Sequence, residues 1–173
     1  MSMPMPVEPR HRSAHSVLEL AEIYAPATSL LWWPRPVEPG VDLFEREPFS
    51  WAGEVASELP STLTEQLTRH EIVEATSLVE LHRDLFEVPT VGLRVALLDA
   101  PLCPAFHVDK VPCRLIATLS GAGTEWRVGD TVHQLPPGAA GWFKGTQWPG
   151  SEPVVHRSPP GHERRLVLTI DLL

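Results

Sequence analysis

Cys103-Pro104-Ala105-Phe106-His107-Val108-Asp109 sets an imidazole and a carboxylate two residues apart. On a β-strand that spacing puts both side chains on one face, where they can converge on a single cation. A second short apolar run, Val154-Val155-His156-Arg157-Ser158-Pro159-Pro160, brings another histidine 47 residues after Asp109. Arg164 and Arg165 follow, and Arg165 opens the alternating run Arg-Leu-Val-Leu-Thr-Ile-Asp nine residues beyond His156. His-x-Asp, a distal His and then an Arg is the order of a 2-His-1-carboxylate metal site with a basic residue behind it.

The sequence around these residues reads as strands. Residues 91–98, 112–119, 124–128, 131–135, 139–144, 153–157 and 164–172 are short runs with alternating apolar character, separated by Gly and Pro. Gly129-Asp130 between two of them is a two-residue hairpin signal. Closely spaced short strands with no helical pattern among them predict a barrel or sandwich.

Upstream the texture is different. Residues 1–15 are rich in Pro, Arg and His without periodicity, which predicts a loose arm with solvated His11 and His15. Ser16 with Glu19 offers a capping box for a short helix ending before Pro26, and residues 29–33 form a brief apolar strand carrying Trp32 and Trp33. Residues 50–88 read as helical. Capping boxes are offered by Thr62 with Glu65 and by Ser77 with Glu80, and Leu78, Leu81 and Leu85 fall on one face. His70 and His82 sit among polar neighbours and are expected at the surface. The organisation expected is a loose arm (1–15) and one domain (16–173), mostly helical over 16–89 and a β-barrel over 90–173.

At 173 residues the chain is long enough to bury a core. Fourteen basic against 22 acidic residues give a net charge of −8, which argues against a nucleic-acid or anionic-membrane surface. Nineteen prolines suit short strands and loops better than long helices. Two cysteines are too few for a disulfide framework, and no apolar run has membrane-spanning length or signal-peptide character. A cytoplasmic protein is expected.

The candidate residues suit one chemistry. Two histidines and one carboxylate hold an iron(II) ion on one side and leave the other free for a bidentate cosubstrate and dioxygen. If the cosubstrate is 2-oxoglutarate, its distal carboxylate needs a buried basic partner, and Arg supplies a planar fork. His107, Asp109 and His156 are the expected ligands. Arg165 shares a strand face with Val167 and Thr169, whereas Arg164 falls with Leu166, Leu168 and Ile170. Which face lines the cavity is open at this point, with Arg165 preferred because Thr169 can add a hydroxyl contact. Without a metal, His107 and Asp109 would form a hydrogen-bonded pair and Arg165 a surface ion pair.

Three segments, Cys-Pro-Ala-Phe-His-Val-Asp-Lys-Val-Pro-Cys-Arg-Leu (103–115), Gly-Ala-Gly-Thr-Glu-Trp (121–126) and Val-His-Arg-Ser-Pro-Pro (155–160), resemble a bacterial domain-of-unknown-function family, number 1826. The likeness extends more weakly to residues 32–36 and 91–98. Members of that family often sit near GTPases assigned to zinc handling, so the resemblance implies zinc as a context. The strand order also resembles the cupin and 2-oxoglutarate oxygenase barrel, in which Gly-Ala-Ala-Gly-Trp-Phe-Lys-Gly (138–145) would be the strand before the distal His. The short connection between Trp126 and Gly138 leaves little room for a substrate lid.

Other readings attach to single residues. Cys103, beside the His-x-Asp pair, would favour zinc if its thiolate joined the site, while Cys113 reads as a small buried hydrophobe. Glu125 and Trp126 follow a Gly-x-Gly turn at the expected barrel mouth and, with Cys103, are candidate substrate contacts. His133 and His162 are expected to be solvated, and Trp142 and Trp148 to anchor the core and a loop.

The expectation is an α+β fold, a double-stranded β-helix of cupin (jelly-roll) type carrying a helical N-terminal segment. The function expected is hydroxylation of a small-molecule or peptide substrate with Fe(II) and 2-oxoglutarate. The alternative is a zinc-binding cupin-like protein of metal homeostasis without redox chemistry. Barrels of this type often pair through edge strands, so a homodimer is expected.

Overall fold

Three eight-residue strands, buried in part on both faces, form the centre of the molecule: β4 (Val91–Leu98), β5 (Cys113–Ser120) and β10 (Arg165–Leu172). The computed structural model describes residues 10–37 and 42–173. The remaining strands are β1 (Arg10–Ser13), β2 (Thr28–Trp33), β3 (Phe49–Val55), β6 (Glu125–Val128), β7 (Thr131–Gln134), β8 (Ala140–Lys144) and β9 (His156–Arg157). Two helices, α1 (Ser61–Thr64) and α2 (Arg69–Phe86), and 3-10 turns at Leu18–Tyr24 and Leu43–Glu45 complete the described elements. The result is a mixed α+β fold with more sheet than helix. Among the described residues, no helix is long and apolar enough to cross a membrane.

The strands form a seven-stranded sheet, β1-β2-β8-β5-β10-β4-β3, and a three-stranded sheet, β7-β6-β9. Alternation gives the large sheet two apolar faces. On one, Leu166, Leu168 and Ile170 of β10 join Leu93, Val95 and Leu97 of β4 and Leu115 of β5, with Ala75, Leu78 and Val79 of α2 in the same core. On the other, Leu30, Ile116 and Phe143 meet Trp126 of the small sheet. The small sheet covers only part of that second face. On β3 and β4, Ser50, Ala52, Glu54 and Arg94 stay exposed.

Several expectations are corrected. Residues 50–88 are not helical throughout: Phe-Ser-Trp-Ala-Gly-Glu-Val is edge strand β3, paired antiparallel with β4. Its alternation of Phe49, Trp51 and Val55 with Ser50, Ala52 and Glu54 is a period of two, which a helix cannot bury on one side. Residues 16–89 therefore hold β2 and β3 as well as helices. A short helix, α1, forms at Thr62, but the long helix α2 starts at neither expected box. Thr68 caps α2, accepting from the backbone N–H of Glu71, while the Glu71 side chain accepts from the N–H of Thr68. Ser77 lies inside α2, where backbone N–H groups are already bonded four residues back and need no cap. Arg10–Ser13, expected in the loose arm, pair with β2, and His11 is half-buried. Residues 1–9 of that arm lie outside the described residues.

His82 is a further correction. It is fully buried on α2, where its Nδ1 accepts from Nε1–H of the equally buried Trp142 at 3.2 Å. Its polar sequence neighbours hid the fact that it falls one turn after Leu78 on the core-facing stripe.

Candidate metal centre

His107 reaches the small sheet through a single antiparallel bridge to His156. The two residues exchange both backbone hydrogen bonds, at 3.0 and 2.9 Å. Residues so paired project their side chains to the same side, and the imidazole centroids lie 4.6 Å apart. Each ring is oriented by its own chain: Nδ1 of His107 lies 3.0 Å from the Ala105 carbonyl, and Nδ1 of His156 lies 3.0 Å from the Val154 carbonyl. A carbonyl oxygen can only accept, so Nδ1 carries a proton in both rings, and in the neutral imidazole Nε2 offers a lone pair.

Asp109 completes the group. Oδ1 accepts from Nη1 of Arg114 at 2.9 Å. Oδ2 is buried and lies 3.2 Å from Nε2 of His156, a contact that is a hydrogen bond when that ring is protonated and leaves Oδ2 without a donor among the described residues when it is neutral. Nε2 of His107 lies 3.7 Å from Oδ1. Ligand atoms of His107, Asp109 and His156 all fall within 4.8 Å of one another. Burial pushes the Asp109 carboxyl up, but His156 first, then Arg114 and His107, outweigh it and hold it below its ordinary value. With both imidazoles neutral, this buried carboxylate and the two Nε2 atoms beside it, one near each oxygen, have the chemistry of an N2O cradle for a divalent cation.

The loop carrying Asp109 is held from β8. Thr146 N–H donates to the Asp109 carbonyl at 2.9 Å, and Gly145 N–H to the Pro112 carbonyl at 2.9 Å. A Cβ on Gly145 would collide with the Val111 carbonyl and lie 2.6 Å from that of Asp109, so only glycine allows this approach.

Arg165 and Arg164 separate clearly. Arg165 is 5% exposed; its Nε donates to the Ala122 carbonyl at 2.6 Å and its Nη2 to Thr118 Oγ1 at 3.2 Å. Among the described residues it has no ion-pair partner, and burial lowers its pKa to about 10, with Glu125 offsetting part of the effect. Arg164 turns the other way, donating to the Leu43 carbonyl at 2.9 Å and lying over the Phe44 ring. Arg165, Thr169 and Val167 line one cavity of about 80 Å³ with His107, His156 and Thr124.

The other expected contacts are placed as follows. Cys103 is exposed at the rim of this cavity, outside the ligand group. Cys113 is buried, and burial raises its thiol pKa. Glu125 is tied to Arg157 at 2.7 Å. Trp126 belongs to the core, packed between Trp32 and a stacked His133 and donating to Nδ1 of His11 at 3.2 Å. It packs the space between the sheets and does not line the cavity. His162 is exposed.

Sequence reasoning missed Arg114, Thr118 and Thr124. The first two carried a signal: in Cys113-Arg-Leu-Ile-Ala-Thr118, Arg114, Ile116 and Thr118 share the face opposite Cys113, Leu115 and Ala117.

The architecture has known counterparts. The dioxygenase for auxin oxidation of rice is similar with a TM-score of 0.54 at 12% identity, over 95% of this chain and 83% of that one. A full-length Neurospora crassa protein solved in complex with alpha-KG gives 0.50 at 11% identity over 90% and 78%. JOX2, solved with 2OG, Fe and JA, gives 0.50 at 14% identity over 98% and 79%. At these identities the likeness is one of fold. No curated protein matches the chain. The family described as protein of unknown function, DUF1826, matches residues 46–171, and the chain belongs to that family.

Proposed function

We propose that the protein is an iron(II)- and 2-oxoglutarate-dependent oxygenase built on a double-stranded β-helix. The observation that carries this reading is Arg165: a buried guanidinium with no carboxylate partner among the described residues, in the same cavity as His107 and His156. An unneutralised buried cation is costly, and a dicarboxylate ligand would offset that cost. The strand arrangement supports it. Strands β4, β10, β5 and β8 lie side by side in one sheet, and His107, β9, β6 and β7 follow one another in the other, the pairing of such a helix.

In this reading His107, Asp109 and His156 hold the iron and Arg165 binds the distal carboxylate of the keto acid. Thr118 fixes the guanidinium through its hydroxyl, and Thr169 and Thr124 add hydroxyls to the cavity wall. Arg114 keeps Oδ1 of Asp109 engaged, so that Oδ2 is the oxygen presented to the metal. Ile116 and Val167 keep water from the space between. Iron and 2-oxoglutarate bound together would supply the oxidising power for hydroxylating a substrate C–H bond.

Calorimetric titration of 2-oxoglutarate into protein loaded with manganese(II) tests the reading. Binding at one site is expected, dependent on the metal and lost in His156→Ala. Failure of 2-oxoglutarate to bind, or binding indifferent to the metal, would overturn it, and tight zinc binding alone would point to metal homeostasis.

A further inference from the structure

Beside the metal cavity lies a larger one of about 420 Å³, and the two share Leu98, Leu102, Arg114, Val167 and Thr169 in their walls. They therefore adjoin along these five residues. The larger is an outer groove on β10, β4 and β3, where the small sheet leaves the large one uncovered. The floor is made of small residues, Ala52, Gly92 and Ala96, which give it depth. Its flanks are apolar and open: Leu102 is 50% and Leu173 72% exposed.

Two charges in this outer groove are unspent. Arg94 stands opposite Thr169 on β10 and Ala52 on β3, and it makes no hydrogen bond or ion pair among the described residues. Glu54 stands on the edge strand opposite Gly92 and is likewise unpaired there. Arg114, at the junction, is neutralised by Asp109 and Asp171. Arg94 is thus the cation available to a ligand in the groove. Thr169, which lines both cavities, is its neighbour roughly 5 Å away across the sheet.

We propose that the outer groove binds the substrate, and that the substrate is a small organic acid. Its carboxylate pairs with Arg94, and its apolar body lies along Ala96, Leu98, Leu102 and Val167 toward the metal cavity. Glu54 at the rim opposes the same charge, so it limits affinity and admits the acid in one orientation. The word substrate rests on the oxygenase reading; the binding does not, and it is measured without metal so that the two can fail separately.

The test is titration of metal-stripped, 15N-labelled protein with hexanoate, with hexanamide as the neutral control. Hexanoate is expected to shift the amides of Gly92, Ala96 and Val167, and hexanamide to bind roughly five- to tenfold more weakly. Arg94→Gln should reduce hexanoate binding to the level of the amide, and Glu54→Gln should strengthen it. Arg94 is exposed, so its replacement does not endanger the fold. The shifts should persist in Arg165→Met, which separates this site from the cosubstrate's. Equal response to acid and amide, indifference to Arg94→Gln, or no shift on these strands would overturn the inference. If hexanoate binds as expected but 2-oxoglutarate never does, the oxygenase reading fails and the acid site stands. If 2-oxoglutarate binds and hexanoate does not, the acid site alone fails.

Discussion

The guanidinium of Arg114 donates to Asp109 Oδ1 at 2.9 Å and forks onto the Asp171 carboxylate at 2.7 and 2.8 Å. Asp109 is thereby fixed to β10 through a side chain of β5, and its other oxygen lies 3.2 Å from Nε2 of His156. Partners that orient a metal ligand in this way typically control affinity by about 10- to 100-fold. Arg114→Gln should lose about that factor in manganese(II) affinity, measured by calorimetry, while His107 and His156 still give residual binding. Unchanged affinity would show that Asp109 needs no such support.

The approach of β8 to the Asp109 loop depends on Gly145. Gly145→Ala places a methyl against two carbonyls, so the loop must shift. The expected cost is about 1–3 kcal/mol in urea unfolding, with metal affinity falling in parallel. A variant that lost stability yet bound metal normally would show that Asp109 is positioned independently of β8.

Arg165 makes opposite predictions for the free and the liganded protein. Its buried charge has only a carbonyl and a hydroxyl as partners, so Arg165→Met should leave the ligand-free protein as stable, or more stable by about 1 kcal/mol. The same change should weaken 2-oxoglutarate by about 100-fold or more and leave manganese(II) affinity intact. Thermal unfolding with and without 2-oxoglutarate reads both.

His82 gives the fold a pH dependence separate from the His107, Asp109 and His156 group. Burial lowers its pKa from the ordinary 6.5 to about 3. In the unfolded chain it takes up a proton as the pH falls through 6.5, and in the folded chain it does so only near 3. The unfolded state thus binds more protons between those values, and His82 makes the protein less stable as the pH drops. Between pH 7 and 4.5 its share should be on the order of 2–3 kcal/mol. His82→Gln keeps an acceptor for Trp142 and cannot titrate, so its urea midpoint should fall less steeply over that range. Equal slopes would place the acid sensitivity elsewhere.

The strands and the grouping of His107, Asp109 and His156 were largely legible because they depend on local spacing. Alternation marked β4, β5 and β10, and His-x-Asp with a distal His marked residues that the fold brings within 4.8 Å. What stayed hidden depended on partners distant in sequence. The choice between Arg164 and Arg165 turns on which face of β10 meets α2, which no local pattern states. The box that caps α2, Thr68 with Glu71, was not read from the sequence; its Glu71 also pairs with Arg46, which follows the distant 3-10 turn Leu43–Glu45. Arg114 looked like an ordinary strand residue, since its meaning lies in two carboxylates at positions 109 and 171. The period-two pattern of β3 was readable but lay beside helix-forming sequence that masked it.

Anaerobic addition of iron(II) and 2-oxoglutarate to metal-stripped protein, followed by visible absorption, asks whether one cavity holds both. His107, Asp109 and His156 would bind the metal there and Arg165 the keto acid. A charge-transfer band requiring both components, lost in His156→Ala and in Arg165→Met although Arg165→Met still binds metal, is the result predicted. No band in the wild-type protein, with zinc bound tightly and 2-oxoglutarate ignored, would contradict it.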